Sequence, residues 1–228
     1  MLSAGSVIGQ AWDLYKAHWR HLIPIALVVY ILISLFTLLL IVLLGWFGAV
    51  LGFFIALAGV FWLQGALVIA VDDVRDGRAD LSISETLNRV WPHVNTLTLA
   101  GLLASLGIVI GLALLIVPGL VLLTLWLLIV PTIMLEGRGV MGSFGRSREL
   151  VSGQGWNVFG VIVLTVLILL AVNIGVSILE GVVDSNWFSV IADIASQTAS
   201  APFLALAWTI TYFELRSLKE GTPVPVPA

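Results

Sequence analysis

The feature that most constrains this chain is the length of its stretches without a formal charge. Residues 21–71 form a run of 51 such residues, and residues 90–135 form a second run of 46. One helix of the first length would extend about 77 Å at about 1.5 Å per residue, whereas the hydrocarbon core of a bilayer is about 30 Å thick. Each run is therefore expected to fold back as a hairpin of two membrane-spanning helices.

The composition is typical of a membrane protein. Hydrophobic residues make up 60% of the chain and charged residues only 10%, against about 45–50% and about 25% in soluble proteins. The chain has no cysteine, which excludes disulfides, thiolate metal sites and cysteine nucleophiles. Asp13, Lys16 and Arg20 interrupt the first twenty residues, so these lack the apolar core of a cleaved signal peptide.

Turn signals divide the apolar sequence into helices. They lie at residues 45–48, at residues 118–119 and in an acidic stretch at residues 181–186. The predicted fold is all-α, a single polytopic membrane domain over residues 1–221 with six transmembrane helices in three hairpins, each preceded by a short cytosolic amphipathic helix. We expect an interfacial helix over residues 3–20, spans over residues 22–44, 49–71, 93–117, 119–136, 157–178 and 187–213, and a disordered tail over residues 222–228.

The positions of the basic residues predict the orientation. They occur in four segments that alternate with three predicted outer turns, and these turns contain neither lysine nor arginine. Because cytosolic loops carry the excess of Lys and Arg, all four segments and both termini are expected in the cytosol. The ten residues are Lys16, Arg20, Arg75, Arg78, Arg89, Arg138, Arg146, Arg148, Arg216 and Lys219.

The polar segment between spans four and five, residues 136–156, is called the elbow below. Its apolar residues recur at roughly helical spacing, which predicts a short helix lying along the membrane surface. Basic residues beside an anionic surface each contribute about 1 kcal/mol to lipid binding, and aromatic residues anchor at the same level. Arg138, Arg146, Arg148 and Trp156 are therefore candidate contacts for lipid headgroups. The alternative is that these arginines serve only to fix the topology.

The sixth predicted span is the least apolar and contains Asp193, the acidic residue inside a predicted span. A carboxylate in hydrocarbon costs roughly 2.5–3.5 kcal/mol, so this side chain is expected to turn inward toward Asn173 or Gln197. These three residues form a candidate intramembrane polar site for a cation or a proton. In the alternative interpretation Asp193 only caps the last helix.

The elbow also carries a family signature, in which a proline and an apolar segment lead to Glu, a small loop, Arg-Ser, Leu-Val and Trp. The residues that match it are Pro131, Glu136, Arg146, Ser147, Leu150, Val151 and Trp156. This pattern resembles the glycerophosphoryl diester phosphodiesterase membrane-domain family. The resemblance implies a six-span protein of the cytoplasmic membrane of a bacterium or archaeon. The catalytic signatures of the soluble phosphodiesterase domain are absent from this sequence, so the enzymatic activity is not implied.

The motifs do not indicate a reaction. The sequence has neither a HExxH motif nor a phosphate-binding loop nor a nucleophile elbow, and no metal or cofactor is expected. We therefore expect a non-enzymatic scaffold or lipid-associated accessory protein, with a small transporter or channel as the alternative. The expected partners are membrane lipids, with anionic headgroups favoured, and a membrane protein or a second copy of the chain. Nucleic acid is not expected.

Overall fold

A computed structural model describes residues 2–75, 80–183 and 186–221. Within these ranges the chain is helical and has no strand, which confirms the predicted all-α class. Five helices are long and apolar enough to cross a membrane. Helices are the expected solution for such sequences because a backbone in hydrocarbon must satisfy its hydrogen bonds within the segment.

The described residues form nine α-helices and one 3-10 turn. Their bounds are Ala4–Leu44 for α1, Trp46–Val74 for α2, Ile83–Val90 for α3, Val94–Leu114 for α4, Ile116–Leu125 for α5, Ile129–Glu136 for α6, Val140–Val151 for α7, Gly155–Val183 for α8 and Asn186–Glu220 for α9, with the 3-10 turn at Trp91–His93. The helices α8 and α9 are longer than the predicted spans. The predicted disordered tail lies outside the described residues.

The first hairpin turns at a single residue, Gly45, instead of over the predicted residues 45–48. Its φ of 56° lies in the region that favours glycine. The two helices then approach closely, since a Cβ on Gly48 would lie 1.9 Å from the carbonyl oxygen of Leu40. Glycine is therefore required at this crossing for steric reasons, as in other small-residue helix contacts in membranes.

The predicted interfacial helix and the first span belong to one helix, α1, with a break in its regular geometry at His18 (φ −121°, ψ 15°). Before the break, Val7, Ala11 and Leu14 are buried in the core. The hydroxyl of Tyr15 donates to the carbonyl oxygen of Ala199 at 3.0 Å. The segment before His18 is thus held against α9 by apolar packing and a hydrogen bond.

The second hairpin breaks at Leu115 (φ −156°, ψ 136°), so the predicted break at residues 118–119 is wrong by three residues. Pro118 is the third residue of α5. A proline is tolerated in the first turn, whereas inside a continuous helix its ring would clash with the carbonyl four residues earlier. At this position the chain leaves the helix before the proline instead of at it, whereas Pro24 and Pro202 lie inside α1 and α9.

The predicted span over residues 119–136 is likewise two helices, α5 and α6, separated at residues 126–128. Pro131 is the third residue of α6, and it follows Ile and Val as Pro118 does in α5. The same Ile-Val-Pro sequence therefore stands at the start of two consecutive helices. The break lies just before Pro131 and takes the form of a short turn.

The core is concentrated where α6, α7 and the second halves of α2 and α9 meet. Leu67, Ile133, Leu150 and Tyr212 are fully buried there. The facing ends of α1 and α2, of α4 and α5, and most of α8 after Thr165 carry exposed large apolar side chains. Such extensive apolar exposure is unusual for a protein in water and suits helices that face lipid.

Candidate functional site

The elbow starts where α6 ends. Gly137 adopts a left-handed conformation (φ 65°), and its N–H donates to the carbonyl oxygen of Ile133. This is a common way to end a helix, because glycine adopts positive φ at no steric cost. Three residues later the chain enters α7, which is the short helix predicted for this segment.

Ser147 of α7 connects the elbow to the break between α5 and α6. Its hydroxyl donates to the carbonyl oxygen of Leu125 at 2.6 Å and accepts the N–H of Leu128 at 3.1 Å. The serine is fully buried. A helix end leaves backbone groups without intrahelical partners, and here one side chain supplies both the donor and the acceptor that the break requires.

A network of charged groups lies beside this contact and is centred on Glu136. Arg146 donates through Nε to both carboxylate oxygens, at 2.9 and 3.0 Å. Arg138 Nε and the hydroxyl of Tyr212 donate to the same carboxylate, each at 3.0 Å. The side chains of Glu136 and Arg146 are only 9% and 10% exposed, so their interaction is shielded from water.

The network continues from Arg146 to the end of α9. Arg146 also pairs with Glu149, at 3.2 Å, and with Glu220. Glu220 in turn accepts from Arg216 Nε at 2.9 Å. These side chains come from α6, α7 and α9, and we call the set of Glu136, Arg146, Tyr212, Arg216 and Glu220 the ionic clamp.

The pKa values outside the spans reflect this pairing. Burial alone would lower the pKa of Arg146, but hydrogen bonds to Glu136, Glu220 and Glu149 outweigh that effect and raise it. Hydrogen bonds from Arg216 and Arg146 lower the pKa of Glu220. At neutral pH both groups are therefore charged, and the ionic clamp holds the elbow against the last helix.

The four predicted headgroup contacts are in different environments. Arg138 and Arg146 both donate to Glu136. Arg148 is exposed and has no carboxylate partner within residues 2–75, 80–183 and 186–221. Trp156 is 87% exposed and packs edge-on against Phe159. Arg148 and Trp156 are therefore exposed predicted contacts without a carboxylate partner in those ranges, whereas Arg138 is half exposed and pairs through Nε with Glu136.

The sequence interpretation missed the role of Tyr212, Arg216 and Glu220, and it placed Arg146 at the lipid surface. A signal was present in the resemblance, since both Glu136 and Arg146 belong to the matched pattern. An acid and a base ten residues apart, on either side of a glycine-containing turn, can meet as an ion pair. No pattern in the sequence near the elbow indicated that side chains of α9 would take part in the ionic clamp.

The predicted intramembrane site is only partly described. The amide of Asn173 donates to the carbonyl oxygen of Leu169 at 2.7 Å, and this residue and Gln197 are both exposed. Asp193 lies inside α9, which begins at Asn186, so the interpretation of Asp193 as an N-terminal cap is wrong. Its side chain is outside the described part of the structure, and its contacts with the other two residues stay a prediction.

Among the described residues, no three His, Asp or Glu side chains lie together as a metal-binding cluster. Asp73, at the end of α2, has a local role. Its carboxylate accepts the N–H of Leu81 at 3.0 Å and lies 3.9 Å from His21 Nε2. This carboxylate therefore helps to connect α2 to the segment before α3.

The chain matches no protein-family model, no curated protein and no solved structure. The resemblance to the phosphodiesterase membrane-domain family therefore stays a prediction. Function has to be inferred from the geometry of the elbow.

Proposed function

We propose that this protein is a non-enzymatic integral membrane protein of the prokaryotic cytoplasmic membrane that acts as a scaffold or lipid-associated accessory protein. In this proposal α9 is the sixth span, both termini are cytosolic, and the short helices before the hairpins lie on the inner surface. Five apolar helices and the one-sided distribution of basic residues support this arrangement.

The observation that carries the proposal is the contrast among the arginines of the elbow. Arg146 is held by the ionic clamp, whereas Arg148 is exposed without a carboxylate partner in the described ranges and Trp156 projects from the start of α8. A free cation near an interfacial tryptophan suits the phosphate level of an anionic monolayer. In the elbow, Arg146 thus has a structural role, whereas Arg148 and Trp156 contact lipid.

The test compares Arg148→Gln with Arg148→Lys in nanodiscs that contain equal amounts of phosphatidylglycerol and phosphatidylethanolamine. Native mass spectrometry gives the ratio of the two lipids that stay bound. Loss of one cation is expected to reduce the preference for phosphatidylglycerol about fivefold, since it removes about 1 kcal/mol. The lysine variant retains the charge and should behave as the parent. An unchanged ratio in Arg148→Gln contradicts the proposal.

A second candidate function, a small transporter or channel, is favoured by one observation on α9. The hydroxyls of Thr198 and Thr209 are buried and have no hydrogen-bond partner among the described residues, which is costly in a low-dielectric interior. Such groups suit a polar path that fills with water or ions. Flux through the reconstituted protein tests this alternative. Asp193→Asn should abolish a cation- or proton-dependent flux. Absence of flux through the parent protein would eliminate the transporter or channel function.

A further inference from the structure

A groove of about 680 Å³ lies between α5 and the start of α8. Residues 117–125 line one wall at helical spacing, and residues 153–159 line the other. Val117 and Val121 are exposed on the α5 side, and Trp156 is exposed on the α8 side. The groove is of the size typical of ligand sites, and its exposed rim would face lipid if both helices cross the membrane.

The two ends of the groove differ in chemistry. Toward the start of α5 the lining is aliphatic, with Val117 and Val121. Toward the elbow it includes Thr124 and the amides of Gln154 and Asn157, which bond to each other at 2.7 Å. A ligand that fits both ends needs a long apolar part and a polar part that stays at the membrane interface.

Charge complementarity further limits the class of ligand that would fit the groove. Arg148 lies one turn before the end of α7, and α7 leads directly into the polar end of the groove. It is exposed and unpaired within the described residues, whereas its neighbour Arg146 is bound by three carboxylates. Arg148 is not among the residues that line the groove, but it places a cation on the helix that leads to the polar end, which suits an anionic group attached to an apolar chain.

We propose that the groove holds one acyl chain of an anionic phospholipid from the inner monolayer, with the phosphate group at residues 153–157 beside Arg148. This inference rests on the proposed contact between the elbow and anionic lipid and adds a specific bound lipid to it. Trp156 packs against Phe159 at the rim and covers the glycerol region. The bound lipid would thereby connect α5 to α8.

The test fills the groove without touching the ionic clamp. Val121→Trp places an indole inside it, and Val166→Trp places the same indole on an exposed face of α8 that does not line the groove. Both variants are placed in the nanodiscs described above, and retained phosphatidylglycerol is counted by native mass spectrometry after detergent release. Val121→Trp is expected to lose one retained lipid per protein, and Val166→Trp is expected to lose none.

A second measurement does not depend on how well the tryptophan variant folds. The chain has no cysteine, so a bimane fluorophore attached through Val121→Cys or Val166→Cys reports on a single position. Phosphatidylglycerol with brominated acyl chains should quench the label at position 121 about fivefold more effectively than brominated phosphatidylethanolamine does, the preference expected for one arginine. At position 166 the two lipids should quench equally.

The outcomes separate this inference from the proposed function. If the parent retains phosphatidylglycerol, and Val121→Trp retains as much while the label at position 121 shows no preference, the groove inference is wrong and the elbow contact stands. If the parent retains no phosphatidylglycerol above phosphatidylethanolamine, both are wrong. Equal lipid loss from Val121→Trp and Val166→Trp also overturns the groove site.

Discussion

Replacing Ser147 by alanine tests how the break between α5 and α6 is stabilised. The substitution removes the hydroxyl that serves the carbonyl of Leu125 and the N–H of Leu128. Leu128 is fully buried and Leu125 is partly buried, so both groups would lose their partner in surroundings with little water. A buried group without a partner costs about 1–3 kcal/mol. The substitution leaves two such groups without a partner, but it also removes the cost of burying the serine hydroxyl. The free energy of unfolding is therefore expected to fall by about 2–4 kcal/mol.

Ser143→Ala is the matched control. Ser143 is also fully buried in α7, but its hydroxyl donates to the carbonyl of Val140 in its own helix. Removing it leaves no backbone group of another helix unpaired, so the expected loss is below about 1 kcal/mol. Free energies of unfolding are measured in mixed micelles against the mole fraction of a denaturing detergent. Equal losses in the two variants would refute the bridging role of Ser147.

Three further predictions concern the ionic clamp and the first hairpin. Arg146→Met should destabilise the protein by about 1.5–3 kcal/mol because the shielded Glu136 loses its hydrogen bonds to Arg146 and is left with Tyr212 and the half-exposed Arg138, and adding Glu136→Gln should recover part of that loss; additive losses in the double variant contradict the pairing. The pKa of Glu220 is lowered by hydrogen bonds from the arginines of α9 and α7, so its stabilising effect is complete above the ordinary glutamate pKa of about 4.3 and is lost as the pH falls through the lower folded-state value. Unfolding measured from pH 7 to pH 3 should show this loss in the parent and a flatter profile in Glu220→Gln. Gly48→Ala should cost about 1–3 kcal/mol by overpacking the hairpin, whereas Gly175→Ala, where a Cβ meets no atom within 4 Å, should cost nothing measurable in the same unfolding assay.

The helical class and the membrane-crossing character follow from the sequence because both depend on composition and on run length. The exact breaks do not. Pro118 indicated that a break was near, but a proline is accommodated inside the first turn of the following helix, which moved the break to Leu115. Pro131 likewise lies in the first turn of α6, and the break comes before that helix. Pro118 and Pro131 each stand shortly after a helix start, whereas Pro24 lies inside α1, so a proline in a long apolar run does not by itself give the position of a break.

The candidate site was less predictable, because its partners are distant along the chain. Tyr212 is 76 residues from Glu136, and Glu220 is 74 residues from Arg146. No periodicity within the elbow distinguishes Arg146, which these contacts bury, from Arg148, which stays exposed. The sequence indicated the elbow as the candidate segment, and only the packing of α9 against it separates Arg146, which pairs with Glu220, from the exposed Arg148.

The proposed orientation places the elbow on the cytosolic surface of the membrane, across the bilayer from the end of α8. Because the chain lacks cysteine, Ser152→Cys in the elbow and Gly181→Cys near the end of α8 each give a single reactive thiol, and both residues are exposed. A membrane-impermeant maleimide is applied to spheroplasts and then to opened membranes. We expect the maleimide to label Gly181→Cys alone in intact spheroplasts and to label both variants in opened membranes. Labelling of Ser152→Cys in intact spheroplasts would contradict it.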